Sequence, residues 1–319
     1  MHHFPAHRPL IVGALAAVIL TGSREARRPA APPLPPPASP APDTIPGTVW
    51  TVDDWRGFES KVRWGVEHRL DTLSVGTAIA RLGETFVGTT YRPATLEVPG
   101  PERLVVNLRQ LDCVTFIENV LALTRFIRQD GGALLADRPA ARARYEKYLR
   151  ELRYRNGVID GYASRLHYFS EWLAHQEQHG VLRLLARELG GRLDREPIDF
   201  MSTHAAAYRQ LSDPDVRAAI VDIEARLNRG EGRWYIVEGQ IAALAGRIQD
   251  GDLIAATSTV AGLDVAHTGL ALWRAGRLHL LHAPLVGKSV EISELPLADR
   301  ILSIASQDGI MVARVMAGN

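Results

Sequence analysis

Residues 111–120 constrain the fold more than any other part of this 319-residue chain. They contain Cys113, the only cysteine, directly after Asp112, whose carboxylate can cap a helix by accepting a backbone N–H of the first turn. The residues that follow are apolar nearly all round a helix, which is typical of a buried central helix. The dipole and free N–H groups of a helix start favour the nucleophilic thiolate form of Cys113. The alternative is that Cys113 is a small buried hydrophobic residue.

Composition and charge exclude few functions. Hydrophobic residues make up 46% of the chain and charged residues 23%, which is typical of a soluble globular protein. The 37 lysines and arginines nearly balance the 36 aspartates and glutamates, so charge gives no reason to expect a nucleic-acid partner.

The N-terminus has the pattern of an exported protein. A basic start is followed by an apolar run over residues 10–20 and then by small residues, which is typical of a secretory signal peptide. Half of residues 29–46 are proline, which favours an extended tether. We predict a signal peptide over 1–23, a proline-rich linker over 24–47 and one domain over 48–319, located in the periplasm or cell envelope. The apolar run is short for a bilayer, so we expect no stable membrane span after cleavage; an uncleaved anchor is the alternative.

An exported location favours a functional role for the single cysteine over a purely structural one. In an oxidising compartment cysteines usually occur in pairs, and an odd one is either a liability or a reactive thiol. Cys113 has no partner for an intramolecular disulfide, which favours a functional role.

The hydrophobic patterns predict helices first and strands last, an α+β fold with a small, mainly antiparallel sheet. Helices are expected over 51–69, from about 73 onward, over 113–129 and across most of 140–228. Short strands are expected at 104–107, 251–255, 267–273, 278–282, 290–292 and 310–315.

Two histidines in the last quarter are predicted to share one face of a hairpin. If the turn has its tip at Ala275 and Gly276, His282 lies opposite Gly269, and residues two apart share a face. His267 and His282 are then diagonal neighbours with Cβ atoms roughly 7–8 Å apart or less. Gly269 leaves room for their rings to meet, whereas His279 falls on the opposite face.

These residues match the requirements of a cysteine hydrolase. Cys113 would attack an acyl carbon, His267 would act as the base, and His282 would orient His267. The backbone N–H of Cys113 could supply part of an oxyanion hole. Two alternatives stay open: a zinc site formed by the same three side chains, although no short ligand spacing supports a metal, and a non-catalytic binding module.

A glycine-punctuated segment, residues 154–168, interrupts the helical middle and is a candidate recognition loop because it concentrates aromatic and basic side chains. Arg165 is the best candidate for pairing with a substrate carboxylate. We expect Tyr162, His167 and Tyr168 to contribute to substrate binding as well.

Several of these motifs resemble the NlpC-type papain-like cell-wall hydrolases. The likeness rests on the Asp112–Cys113 pair opening a helix, on residues 267–271, which read H-T-G-L-A, and on His282 before an alanine. Residues 88–91 resemble the glycine–tyrosine loop of that family, in which the tyrosine helps to shape the oxyanion site; Tyr91 and Asp112 are carried over as site-shaping residues. The closer resemblance is to the N-acetylmuramoyl-L-alanine amidase-like branch, through residues 103–123, 162–172, 251–254, 262–267 and 278–283.

The resemblance implies a papain-like fold in which the catalytic helix packs on the sheet, with helical insertions. It also implies hydrolysis of the amide between N-acetylmuramic acid and L-alanine in peptidoglycan or muropeptides, without a cofactor or a metal. The residues alone indicate only a cysteine acyl hydrolase. An endopeptidase that cuts the stem peptide after D-glutamate is the alternative with the same triad.

Overall fold

The computed structural model describes residues 48–318; the predicted signal peptide and proline-rich linker lie outside the described residues. Within this range the α-helices are α1 (Val52–Glu67), α2 (Val75–Glu84), α3 (Cys113–Gln129), α4 (Arg138–Arg153), α5 (Phe169–Gln178), α6 (Phe200–Thr203), α7 (Pro214–Asn228), α8 (Ile241–Leu244) and α9 (Leu297–Leu302). None of the helices in residues 48–318 combines the length and apolarity needed to cross a bilayer.

The strands form one large sheet and two short parallel pairs. The strands are β1 (Thr48–Val49), β2 (Thr90–Tyr91), β3 (Leu104–Val105), β4 (Gln110–Leu111), β5 (Leu182–Leu184), β6 (Arg192–Asp194), β7 (Arg233–Val237), β8 (Leu253–Ser258), β9 (Val265–Arg274), β10 (Arg277–His282), β11 (Glu291–Ile292) and β12 (Gln307–Val315). The eight-stranded sheet has the order β11-β10-β9-β8-β12-β7-β6, with β5 also paired to β12, and its pairings are antiparallel. β1 pairs with β3, and β2 pairs with β4.

Helix α3 lies at the centre of the main hydrophobic core, in contact with α1, α2, α4 and strand β9. Its side chains are buried almost without interruption, as the apolar pattern predicted. Leu270 and Leu281 of the sheet pack into the same core. The opposite face of the sheet packs against α8 and α9, where Leu280 and Ile310 belong to a second hydrophobic cluster.

The β9–β10 hairpin has the predicted register. Leu278 pairs with Trp273 and Leu281 with Leu270, so Ala275 and Gly276 form the tip. Both tip residues have positive φ values, 49° and 74°, the conformation that a tight two-residue hairpin turn requires. The hairpin is therefore confirmed in register and in turn position.

The predicted mixture of helices and a mainly antiparallel sheet is confirmed, but the sheet is larger than predicted. β5 and β6 lie within 140–228, which was predicted to be mostly helical, and β7 follows directly after it. Strands of three residues are too short to show an alternating pattern, and their position in the sheet depends on β12 and β7, far away in sequence.

Candidate active site

Cys113 is the first residue of α3, and Asp112 caps this helix as predicted. Asp112 Oδ1 accepts a hydrogen bond from the backbone N–H of Thr115 at 2.8 Å, and the backbone N–H of Asp112 donates to Thr115 Oγ1 at 2.9 Å. This reciprocal arrangement is a capping box, with threonine in the place of the usual glutamate or glutamine. It fixes the direction of the chain immediately before the cysteine.

The thiol of Cys113 is 1% exposed, and this burial determines its protonation state. The pKa of Cys113 is raised to about 12, first by burial and then by the neighbouring charge of Asp112. The backbone N–H groups of Thr268, Cys113 and Val114 offer hydrogen bonds to the sulfur and lower the pKa, as expected at a helix start, but they do not outweigh the burial. Cys113 therefore rests as a neutral thiol, because burial outweighs the preference of the helix start for a thiolate.

This protonation state predicts the pH dependence of alkylation at Cys113. Because the pKa of Cys113 lies well above neutrality, its thiolate fraction grows about tenfold per pH unit, and the rate of labelling by iodoacetamide should follow. Mass spectrometry of the intact protein measures this rate without interference, since the chain has one cysteine. A rate plateau that begins below pH 7 would instead indicate a thiolate–imidazolium pair.

His267 and His282 form the predicted pair on one face of the hairpin. His267 Nε2 lies 2.7 Å from His282 Nδ1, and the two rings meet edge to face with centroids 4.9 Å apart. A Cβ on Gly269 would lie 2.8 Å from Leu280 Cδ1 and 2.9 Å from His282 Cβ, so the space left by this glycine is required. His279 lies apart from the pair and bonds to the backbone carbonyl of Ser293.

Both histidines are held in the neutral form. Burial lowers the pKa of His282 to about 3, and burial followed by the charges of His282 and Arg300 lowers the pKa of His267 well below its usual value. The Nε2 atom of His282 is buried without a hydrogen-bond partner among the described residues. A neutral imidazole is the form that can accept a proton, although the lowered pKa makes His267 a weaker base than a free imidazole.

Thr268 links the start of β9 to the start of α3. Its backbone N–H approaches the sulfur of Cys113, and His267 precedes it on β9. The start of α3 and the start of β9 therefore lie next to each other, with His267 adjacent in sequence to the residue that contacts the sulfur. Sequence reasoning missed Thr268 because its contact is made by the backbone, which carries no residue-specific signal.

Tyr91 lies beside the cysteine, as the resemblance implied. β2 pairs with β4, which places Tyr91 next to Leu111, and the backbone N–H of Tyr91 donates to the carbonyl of Lys288. The pKa of Tyr91 is raised by burial and by the charges of Cys113 and Asp112. The phenol is therefore a neutral donor at the edge of the site.

The candidate recognition loop packs mainly against the protein itself. The guanidinium of Arg165 forms ion pairs with Glu102 and Glu97, both at 2.7 Å, and its side chain is 8% exposed. Because two carboxylates already occupy its donors, the geometry argues against the predicted role of Arg165 as a partner for a substrate carboxylate. Tyr168, another candidate for substrate binding, is also buried, and its hydroxyl donates a hydrogen bond to Glu224 at 2.7 Å.

Tyr162 and His167 form a ring pair, with centroids 4.3 Å apart and a hydrogen bond from the imidazole Nε2 to the backbone carbonyl of Tyr162. Burial lowers the pKa of His167 to about 3. The loop leads into α5, where the backbone N–H of Ser170 donates to Asp264, three residues before His267. Substrate contact by Tyr162, His167 and Tyr168 stays a prediction.

Residues 48–318 contain no group of three His, Cys, Asp or Glu side chains arranged to hold a metal ion. The zinc alternative would require His267 and His282 to turn ring nitrogens towards one ion. Instead, the nitrogen atoms His267 Nε2 and His282 Nδ1 face each other at hydrogen-bond distance.

A cavity of about 960 Å³ lies apart from this site, between α5, the end of α7 and β7. Its wall contains Glu171, which forms an ion pair with Arg155 at 2.6 Å, and Trp234. Neither Cys113 nor the histidine pair lines this cavity. The candidate reactive groups therefore lie outside this cavity.

Comparisons with known proteins identify similar structures and a family. A crystal structure of an N-acetylmuramoyl-L-alanine amidase from Bacteroides uniformis ATCC 8492 is 34% identical, with a TM-score of 0.68, and the match covers 76% of this chain and 98% of that one. A protein from Bacteroides fragilis, provisionally described as a xylanase, is 33% identical with a TM-score of 0.66, over 73% of this chain and 99% of that one.

A protein from Legionella pneumophila str. Philadelphia 1 shares the fold at 20% identity, with a TM-score of 0.59, over 82% of this chain and 95% of that one. No curated protein matches the chain significantly. Residues 81–309 match a family model, AmiA-like, described as N-acetylmuramoyl-L-alanine amidase-like, and they include Cys113, His267 and His282. The chain belongs to this AmiA-like, N-acetylmuramoyl-L-alanine amidase-like family.

Proposed function

We propose that this protein hydrolyses the amide between N-acetylmuramic acid and L-alanine in peptidoglycan or muropeptides, through a triad of Cys113, His267 and His282. The observation that carries the proposal is the 2.7 Å contact between His267 Nε2 and His282 Nδ1, beside the backbone N–H of Thr268 that approaches the Cys113 sulfur. Membership of the amidase-like family supports the choice of bond.

The proton positions follow from the histidine contact. With Nε2 of His267 donating to Nδ1 of His282, Nδ1 of His267 is free to accept the proton of the thiol. The Cys113 sulfur then attacks the lactyl carbonyl carbon, and the electron pair of the C=O bond moves to oxygen. His267 returns its proton to the alanine nitrogen as the C–N bond breaks, which leaves a thioester that water hydrolyses with His267 as the base.

The neutral resting forms of Cys113 and His267 are consistent with these reaction steps. Burial holds Cys113 as a thiol and His267 as an imidazole, so proton transfer accompanies attack rather than preceding it. The backbone N–H of Cys113 and the phenol of Tyr91 are the donors that we assign to the developing oxyanion. Asp112 acts through its cap, by holding the first turn of α3 in place.

Within the family-level assignment we further propose the papain-like, NlpC-type arrangement. A cysteine at the start of a buried helix beside a sheet that carries two histidines supports it. A glycosidase would require two facing carboxylic acids, whereas the groups at this site are a thiol and two imidazoles, with Asp112 as a cap. A peptidoglycan substrate supports an exported location, in the periplasm or cell envelope.

The products of muropeptide digestion show which bond the protein cleaves. Incubating the protein with a purified N-acetylmuramoyl tetrapeptide should release an intact tetrapeptide with a free alanine amine, together with N-acetylmuramic acid, as measured by mass spectrometry. A split peptide still attached to the sugar would identify the alternative, an endopeptidase that cuts after D-glutamate. A protein that binds the muropeptide and leaves it whole would be a binding module.

A further inference from the structure

Arg300 lies at the catalytic site, although neither the sequence patterns nor the resemblance pointed to it. It belongs to α9, whose Leu297 and Ile301 pack with Leu280 on the sheet face that also carries the histidine pair. Residues three apart on a helix are neighbours, so Arg300 lies beside Leu297 at this face. Its Nη1 donates to Gln307 Oε1 at 3.3 Å, which ties the guanidinium to the start of β12.

The charge of Arg300 acts on both histidines, and Cys113 acts on Arg300. The guanidinium lowers the pKa of His267 and of His282, and the charge of Cys113 in turn raises the pKa of Arg300. The packing of α9 on the sheet face that carries the histidine pair places Arg300 on the histidine side of the site, and these electrostatic effects agree with that position.

Arg300 is a half-buried cation without an ion-pair partner among residues 48–318. The acid that acts most on it is Glu291, opposite His282 in the β10–β11 pair, but no carboxylate lies within 4.0 Å of its guanidinium in this range. Burial lowers the pKa of Arg300 because this desolvation is not fully compensated. By contrast, the buried Arg153 and Arg165 each contact a glutamate at 2.7 Å.

We propose that Arg300 binds a carboxylate of the leaving stem peptide, on the residue that follows the alanine. The inference rests on the proposed function, because His267 must protonate the leaving amine, so the peptide half of the substrate lies on the histidine side. The sugar half offers no carboxylate there, since its lactyl carboxyl is used in the amide. A guanidinium matches a carboxylate with two parallel N–H donors.

The test compares two N-acetylmuramoyl tripeptides that differ only in whether the free carboxyl of the second residue is a carboxylate or a primary amide. The wild type should cleave the carboxylate form with a kcat/KM about 10- to 100-fold higher, as expected for a charge-assisted hydrogen bond. Arg300→Gln should reduce the ratio of the two kcat/KM values to within about twofold of unity, because it should lower kcat/KM far more for the carboxylate form than for the amide form. Arg300→Lys should keep part of the preference.

Arg277→Gln is the matched control, because Arg277 pairs with Asp299 of the same helix on the exposed side. It should retain the wild-type preference. If Arg300→Gln lowers kcat/KM equally for both substrates, or leaves the preference intact, the proposal is wrong while the amidase function stands. If the wild type releases no free peptide from either substrate, the proposed function fails and this inference fails with it.

Discussion

Replacing Cys113 with alanine or serine is expected to lower amide hydrolysis by a factor on the order of 10⁴ or more, the scale seen when a catalytic nucleophile is removed. Alanine offers no nucleophile, and a serine hydroxyl is harder to deprotonate than a thiol. His267→Ala should cause a loss of similar size, and the double variant should lose little more, because the two residues act in one proton-transfer step. Release of free peptide from a muropeptide, followed by mass spectrometry, measures each rate.

His279→Ala is the control for the histidine pair. His279 lies on the same hairpin but bonds to the carbonyl of Ser293, outside the catalytic pair, so most activity should remain. Circular dichroism and thermal unfolding should show Cys113→Ser folded, since the side chains have nearly the same size. Retained hydrolysis in folded Cys113→Ser would rule out the cysteine mechanism, and retained muropeptide binding without any wild-type hydrolysis would identify a binding module.

Local chemistry made parts of this site predictable from the sequence. The Asp112 cap depends on residues three apart, and the hairpin register depends on one turn and on strict alternation, so both are encoded within a few neighbouring positions. The contact of His267 with His282 then follows from parity and from the small size of Gly269.

Tertiary burial accounts for the predictions that differ from the structure. The pKa of Cys113 is set mostly by the protein packed around it, which a helix-start argument does not include. Arg165 looked free because its partners, Glu97 and Glu102, precede it by 68 and 63 positions. Arg300 was not a candidate, because nothing in the sequence indicated that its guanidinium has no carboxylate within ion-pair distance among residues 48–318.

The second large effect concerns α3, the helix that carries the proposed nucleophile Cys113. Arg153, at the end of α4, forms a 2.7 Å ion pair with Glu118 of α3, and both side chains are 2% exposed. Arg153 also donates to the carbonyl of Val105 in β3, which ties α3, α4 and β3 together. Burial raises the pKa of Glu118, and the charge of Arg153 opposes this rise.

Arg153→Met should lower the free energy of unfolding by roughly 3 kcal/mol at pH 7, since it leaves Glu118 buried without its counter-ion. Glu118 would then fold in the protonated form, and protonating a glutamate with an ordinary pKa of 4.5 costs about 1.4 kcal/mol per pH unit. Its folded-state pKa lies above its unfolded value, so the penalty is absent at low pH and grows as the pH rises. Urea unfolding between pH 5 and pH 8 measures this trend.

Two comparisons separate the charge effect from lost packing. Arg277→Met removes an exposed ion pair, with side chains 62% and 50% exposed, and should cost less than about 1 kcal/mol at every pH. The double variant Glu118→Leu/Arg153→Met should recover much of the stability, because no buried charge remains unpaired. A pH-independent loss in Arg153→Met, unchanged in the double variant, would mean that packing rather than the ion pair holds α3.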